Sequence, residues 1–560
     1  NRIAKQRKIA VTANSMITTK TYQRQSMLFA VTAIFLCFAI LFGRLTYLMM
    51  FRAEYYEDKI QTLHERERSI KAQRGKILDR NGVVLASNKP VSTISVIYNQ
   101  VEEREKVISI LSKELNLSEE TVRKKVEKKS SREKVKSNVD KECSDRIRAY
   151  KLKGVMVDED YKRYYPFDSL ASKVIGFTGA DNQGIIGLEV SYEKYLKGID
   201  GAILTLTTAN GVEIKNAAEI RKEPIPGYDL VTSIDVTTQQ YAEQLAKRVL
   251  EEKQAKSVNI IVMNPQNGEI YAMVSVPEFN LNKPFELNQD TSGLTQKEIM
   301  NRLNDLWRNP CVSDTYEPGS TFKIMTASAA LDAGVVNLDD TFSCPGFCKV
   351  EDRRIRCHKT TGHGSQTFVQ GVMNSCNPVF VSLGARLGVN KVYEYFNNFG
   401  VFDKTISFGQ SFQMSPIRLI TSASEMINGG KKITPHFGVE VQSTDKEVVK
   451  KLTYDSGEQV VSEETSKIMC EILESVVSEG TGKKAAVEGW KVGAKTGTSE
   501  KLPRGNGKYI ASCIGFASTD NPKVVAMVTI DEPVGIYYGG TIAAPLISEI
   551  FTNCLSYLGS

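Results

Sequence analysis

The sequence predicts a multidomain α+β protein carried on a single transmembrane helix. Three observations point there. Its 560 residues are enough for two or three domains with their own cores. Residues 27–43 are uncharged and mostly apolar in a chain that is 24% charged overall. Downstream, short β-branched runs with Asn-Gly turns alternate with longer Ala- and Leu-rich runs of helical character.

Residues 1–26 hold Arg2, Lys5, Arg7, Lys8, Lys20 and Arg24 and no acidic residue. Beyond Arg44 the apolar character resumes over residues 45–51, with the Arg44 side chain long enough to snorkel to the interface. No small-residue cleavage site follows, so a spanning helix over 27–51 is expected in preference to a cleaved signal peptide. The positive-inside rule places 1–26 in the cytoplasm and the remainder outside the membrane. A net charge of +7, four histidines and no interleaving of Lys/Arg with aromatics argue against a nucleic-acid partner.

Residues 53–75 read as a charged helix leaving the membrane, with Glu65, Arg66, Glu67 and Arg68 facing solvent. Asp79-Arg80-Asn81-Gly82 between two apolar β-formers is a hairpin signal, because Asn-Gly takes up positive φ at little cost. Residues 101–160 are rich in Lys and Glu and carry Val107, Ile110, Leu111, Leu115 and Leu117 at helical spacing, which predicts a solvated helical subdomain. A helix over 237–252, a hairpin over 257–274 turning at Asn267-Gly268, strands over 509–516 and 524–531, and a closing helix over 544–555 complete the reading.

The chemistry is written in three short motifs. In Glu317-Pro318-Gly319-Ser320-Thr321-Phe322-Lys323 a turn feeds a helix that ends near Gly334. Ser320 is expected in the first helical turn, with Lys323 three residues on and on the same face. A serine hydroxyl needs a base, and a lysine desolvated on an apolar helix can serve as one. Alone the pattern is weak, for Ser131, Ser191 and Ser443 also begin Ser-x-x-Lys. Ser320 is set apart by Ser375-Cys376-Asn377 and Lys495-Thr496-Gly497-Thr498 downstream. Taken singly, the first of these reads as a helix-capping loop before Pro378 and the second as a strand entering a polar turn.

Together, in that order, the three resemble the signature of the serine penicillin-recognising enzymes. Further segments resemble class B penicillin-binding proteins: residues 74–86, Arg163-Tyr164-Tyr165-Pro166, residues 175–179, 184–189 and 227–235, and Gln239. The likeness runs from residue 40 or so to the C-terminus. It implies a cytoplasmic tail (1–26), a transmembrane helix (27–51), an elongated membrane-proximal pedestal of the dimerisation type (52–234) and a penicillin-binding transpeptidase domain (235–560) whose antiparallel sheet is flanked by helices.

The resemblance implies a D,D-transpeptidase acting on peptidoglycan stem peptides, acylated also by β-lactam antibiotics. Ser320 is expected as nucleophile and Lys323 as its base, with Ser375 relaying the proton to the leaving D-alanine nitrogen. Asn377 would bind the substrate amide, Lys495 would face the substrate carboxylate and lower the basicity of Lys323, and Thr496 and Thr498 would hydrogen-bond that carboxylate. Gly497 would let substrate lie along the strand edge, and the backbone N–H groups of Ser320 and Thr498 would form the oxyanion hole. No cofactor is required for this chemistry. A freely soluble β-lactamase would need a deacylating base, and a carboxypeptidase would not need the pedestal. Residues 340–346 and 357–377 resemble the sporulation branch of the class, which implies spore-cortex synthesis. Vegetative division or elongation is the alternative, as is a scaffold that mainly activates a membrane glycosyltransferase of the shape, elongation, division and sporulation type.

Two features stand apart. Cys344, Cys348, Cys357 and His363 cluster between the first two motifs and supply enough soft ligands for a closed structural zinc site, with His358 or Asp352 as substitutes. Free thiols or one disulfide are the alternative. Residues 400–405 run directly into 406–410, where the class normally carries tens of residues more. Either the protein has a deletion there or residues are missing; with Asn1 rather than Met at the start, missing residues are expected.

Overall fold

The computed structural model describes residues 2–53, 55, 65–130, 132–206, 220–401 and 412–558. The 400–410 junction, where missing residues were expected, lies almost wholly outside them. Helix α1 (Arg2–Phe51) includes one 28-residue stretch, Arg24–Phe51, long and apolar enough to cross a membrane. At a rise of about 1.5 Å per residue it exceeds the roughly 30 Å of a hydrocarbon core. Phe29, Phe35 and Phe42 on it are 78, 76 and 73% exposed, a surface suited to lipid.

Strand β1 (Glu65–Ile70) occupies part of the segment expected to be helical. It pairs antiparallel with β6 (Gly201–Leu206), which in turn pairs with β7 (Ile220–Lys222). The Glu-Arg-Glu-Arg alternation suits a strand as well as a solvated helix, and a partner distant in sequence decides it. The Asn81-Gly82 hairpin forms between β2 (Ile77–Leu78) and the long β3 (Val84–Val96). Asp79 Oδ1 accepts from the N–H groups of Asn81 and Val83, and Gly82 takes φ 82°.

Residues 101–160 hold helices α2 (Arg104–Leu115), α3 (Glu119–Val126) and α4 (Lys141–Ala149), but also strands β4 (Glu133–Val139) and β5 (Val155–Tyr164) that flank β3. The subdomain is therefore mixed, not purely helical. Val107, Ile108, Leu111 and Leu115 are buried against Ile94 and Val96, so Ile108 takes the core place expected of Ile110.

The segments that resembled class B boxes converge on one buried ion cluster. Glu189 accepts from Arg74 Nε at 2.6 Å and from Arg163 Nε at 2.7 Å, and all three side chains are almost fully buried. Arg74 also reaches Glu193 at 2.6 Å, and Arg163 donates to the carbonyl of Gly75 at 2.7 Å. Strand β8 (Asp229–Thr232) pairs with β2 on one side and with β15 (Gly438–Gln442) on the other. One sheet thus joins the membrane-proximal part to the C-terminal part.

The C-terminal part is built on a five-stranded antiparallel sheet of order β10-β9-β19-β18-β17: β9 (Ser257–Met263), β10 (Ile270–Val276), β17 (Val492–Glu500), β18 (Tyr509–Ala517) and β19 (Val524–Asp531). Its strands read as nearly continuous apolar runs because both faces are covered. On β9, Val258, Ile260 and Val262 pack with α5 (Val236–Glu252) and the C-terminal helix (Ala544–Leu558), while Ile261 and Met263 join the larger core on the opposite face. That larger core contains α6 (Lys323–Asp332) and the helices Asn377–Asn398, Pro416–Glu425 and Glu463–Ser478. Strand β17 is left as a sheet edge beside α6.

Candidate active site

Ser320 lies not in the α-helix but in a 3₁₀ turn, Gly319–Phe322, that leads into it; Lys323 opens α6. Pro318 brings no N–H and Gly319 sits at φ 59°, so the chain tightens before the helix begins. This turn rests on β17. A Cβ added at Gly319 would lie 3.2 Å from the Thr498 carbonyl, and one at Gly497 would meet Ser512 Oγ at 2.6 Å, Thr321 Cγ2 at 3.0 Å and Pro318 O at 3.2 Å. Beside the role expected toward substrate, Gly497 has a packing reason: its bare backbone lets the Gly319–Phe322 turn sit against the sheet.

The second motif is delivered by a capped short helix, Phe368–Met373, followed by a sharp bend. Ser375 takes φ 49°, a left-handed conformation that costs a non-glycine residue, and the helix starting at Asn377 continues from it. Lys323 Nζ donates to the Ser375 carbonyl at 2.7 Å, to Ser375 Oγ at 3.3 Å and to Asn377 Oδ1 at 2.6 Å. Lys495 Nζ, from β17, reaches the same Ser375 Oγ at 3.0 Å and the Thr496 carbonyl at 3.2 Å. With both lone pairs of Ser375 Oγ turned to ammonium donors, its own proton is free to point into the cleft. Among the described residues no hydrogen bond joins Lys323 to Ser320; such contacts commonly tighten only when substrate is bound.

Burial lowers the Lys323 amine to about 8, the leading cause. Burial also lowers Lys495 to about 7, and there the like charge of Lys323 adds to the depression. Desolvation, more than Lys495, therefore weakens the base. Asn377 Nδ2 donates to the Arg356 carbonyl at 2.8 Å and keeps one N–H for a substrate amide. Thr498 Oγ1 accepts from Gly539 N–H at 3.0 Å, which ties the end of the third motif to the loop before the C-terminal helix. Thr496 is nearly buried beside Lys495. Of the other Ser-x-x-Lys serines, Ser131 lies outside the described residues, Ser191 is exposed and Ser443 sits in a turn.

The sulfur ligands regroup. Cys344, Cys357, His363 and Cys376 offer ligand atoms all within 4.8 Å of one another; Cys348 is not among them and lies on the ribbon strand Phe347–Val350. Cys357 Sγ is 3.6 Å from His363 Nδ1 and 4.0 Å from Cys376 Sγ. Ligand atoms about 2.0–2.3 Å from one tetrahedral ion stand roughly 3.3–3.8 Å apart, so the widest of these separations would have to close by about 1 Å for the four to share one ion. Burial holds the His363 imidazole below its ordinary value, the neutral form a metal takes. Gly346 and Gly362 let the two arms of the loop touch, since a Cβ on Gly346 would lie 2.1 Å from the Thr360 carbonyl. Cys376 was missed because it reads as the spacer of Ser-x-Asn; its being a soft ligand in that spacer was the available signal.

The three short motifs thus meet at one place: a turn seated on a sheet edge, with two lysines converging on Ser375 Oγ. Residues 258–407 and 401–552 match the penicillin-binding protein transpeptidase domain, and residues 69–232 match the penicillin-binding protein dimerisation domain. The chain belongs to the class B penicillin-binding proteins. It is 38% identical to stage V sporulation protein D of Bacillus subtilis (strain 168), over 96% of this chain and 86% of that protein. It is 29% identical to the probable peptidoglycan D,D-transpeptidase PenA of Neisseria meningitidis serogroup A, over 95% of this chain and 92% of that one. A peptidoglycan synthetase from Bifidobacterium adolescentis shares the fold at a TM-score of 0.70 and 22% identity, covering 88% of this chain and 96% of that one.

Proposed function

We propose that the chain is a membrane-anchored peptidoglycan D,D-transpeptidase working through a Ser320 acyl-enzyme. Ser320 Oγ attacks the penultimate D-alanine carbonyl as Lys323 takes its proton. The C–N bond then breaks, Ser375 hands its proton to the leaving nitrogen and takes back the one held by Lys323, and D-alanine departs. An acceptor amine attacks the acyl carbon, its proton passes through the same groups to Ser320 Oγ, and the ester C–O bond breaks to free Ser320. Lys495, Thr496 and Thr498 hold the terminal carboxylate, Gly497 keeps the strand in register under the nucleophile, and Asn377 takes a substrate amide. β-Lactams acylate the same serine. The observation that carries this reading is the convergence of Lys323 and Lys495 on Ser375 Oγ at 3.3 and 3.0 Å. A fluorescent penicillin should label the purified chain, and Ser320→Ala or Lys323→Ala should abolish labelling; labelling that survives Ser320→Ala refutes the assignment.

Residues 1–26 lie in the cytoplasm, 27–51 span the membrane, and the pedestal (52–234) and catalytic domain (235–560) stand outside it, with the pedestal contacting a membrane glycosyltransferase. The cationic tail ahead of the apolar stretch supports this orientation. The match to stage V sporulation protein D supports a role in the spore cortex. Deleting the gene should leave growth and division intact and remove the cortex; lethality in growing cells would point to a vegetative role.

The loop between the first two motifs holds a structural zinc ion on Cys344, Cys357, His363 and Cys376, supported by the compact donor set. Four protein ligands leave no open position, so the ion would pin Ser375 and Asn377 without entering the chemistry. Elemental analysis of the purified chain, with melting temperature measured with and without chelator, tests this. No stoichiometric zinc and no shift would end it.

A further inference from the structure

A cavity of about 260 Å³ lies beneath the nucleophile turn, between the lower ends of β9, β17, β18 and β19 and the segment leading to Pro318. It is built from polar groups left with unfilled hydrogen-bonding capacity. Among the described residues, Asn259 Oδ1, Ser499 Oγ, Glu317 Oε1 and the Tyr316 hydroxyl are buried without a partner, and all four residues line this cavity. Asn259 and Ser499 are only 7 and 8% exposed. Asn259 Nδ2 donates to Thr529 Oγ1 at 3.1 Å and Glu317 Oε2 accepts from Arg504 at 3.1 Å, which leaves the amide oxygen of Asn259 and the second carboxylate oxygen of Glu317 open. Orphan buried polar atoms are costly; the Asn259 and Glu317 oxygens can only accept and call for a donating ligand, while the Ser499 and Tyr316 hydroxyls can accept or donate.

A primary ammonium has three donors and no acceptor, matching two open carboxylate or amide oxygens and a hydroxyl. Lys256 lines the same cavity, is exposed and can face a carboxylate; Lys501 also lines it, but its donors are taken by Asp531 at 2.9 and 3.1 Å and by Glu532 at 2.7 Å. We propose that this cavity binds a small α-amino acid zwitterion, and that D-alanine, the group released by the reaction proposed above, is its ligand. The choice of D-alanine rests on that reading; the recognition of an ammonium-carboxylate pair does not. Occupancy touches both halves of the acylation machinery. Glu317 is three residues ahead of Ser320, and Ser499 is four beyond Lys495 on β17. The released product would thereby sense and reset the seating of the nucleophile turn on the strand.

The test uses the full chain in detergent micelles, first treated with penicillin to fill the catalytic cleft, with acylation followed by intact mass. D-Alanine is then titrated by calorimetry. Saturable binding is expected, at least tenfold weaker in Glu317→Gln and in Ser499→Ala, and at least tenfold weaker for D-lactate, which lacks the ammonium. If Glu317→Gln does not fold, Ser499→Ala and the D-lactate comparison carry the test. No saturable binding, equal binding of D-lactate, or unchanged affinity in both variants overturns the proposal. Failure of penicillin to acylate the chain would instead overturn the reading of the catalytic site, and the variants and D-lactate would still decide the cavity.

Discussion

Lys323 donates to the side-chain oxygen of Asn377 at 2.6 Å, and with Ser375 O and Oγ this fills the three donors of an ammonium. The resting base is thus stored as its conjugate acid, in a site whose burial brings it down to about 8. A lysine acts as base only when neutral, and the neutral fraction grows as pH rises through that value. Acylation by a chromogenic β-lactam is expected to climb about tenfold per pH unit below pH 8 or so and then level. In the proposed binding mode Lys495 faces the β-lactam carboxylate, whose opposite charge is expected to keep it protonated over this range. A flat profile in stopped-flow acylation would remove Lys323 from the role of base.

Gly497→Ala should slow acylation about tenfold or more, because the new methyl displaces the turn that carries Ser320 by tenths of an ångström. Its nearest obstacle is Ser512 Oγ, the least rigid of the three contacts. The double variant with Ser512→Ala is therefore expected to recover part of the loss. Acylation rates of the two variants side by side check this; equal rates would place the obstruction at Thr321 and Pro318.

What could be read in the sequence was what is local. Three motifs, the Asn-Gly hairpins and the apolar strands each announce themselves within about ten residues, since turn chemistry and periodicity act at that range. What escaped depends on partners far along the chain. The strand at Glu65–Ile70 exists because Gly201–Leu206 pairs with it. Cys376 joins Cys344 because the loop doubles back at Gly346 and Gly362. Gly497 is needed for a turn some 180 residues earlier in the sequence, which no strand pattern reveals.

Glu278 joins the two parts of the molecule. It accepts from Ser172 Oγ and packs near Lys173 and Glu243. Burial, with the Glu243 carboxylate adding to it, raises its pKa to about 7 from an ordinary 4.5. Folding therefore favours the protonated form. The contribution is whole below the unfolded value and is lost as pH rises through about 7. Denaturant unfolding should show stability falling between about pH 4.5 and 7, and Glu278→Gln should flatten that slope. An unchanged slope would assign it to another group.

The Arg74–Glu189–Arg163 cluster makes the strongest claim on stability. Two guanidinium groups share one carboxylate, at 2.6 and 2.7 Å, in a region with almost no solvent. Removing the carboxylate leaves two buried cations facing each other, a loss of about 3–5 kcal/mol for a broken buried pair. Glu189→Ala should therefore lower the melting temperature sharply. Glu189→Gln keeps the shape and one acceptor oxygen and should fall between the variant and the parent. The cluster lies apart from Ser320 and its partners, so penicillin labelling measured well below the melting temperature should persist in Glu189→Gln. Scanning calorimetry paired with labelling at low temperature separates the two effects. A Glu189→Ala chain as stable as the parent would mean that water or Glu193, which already holds Arg74 at 2.6 Å, takes over the charge.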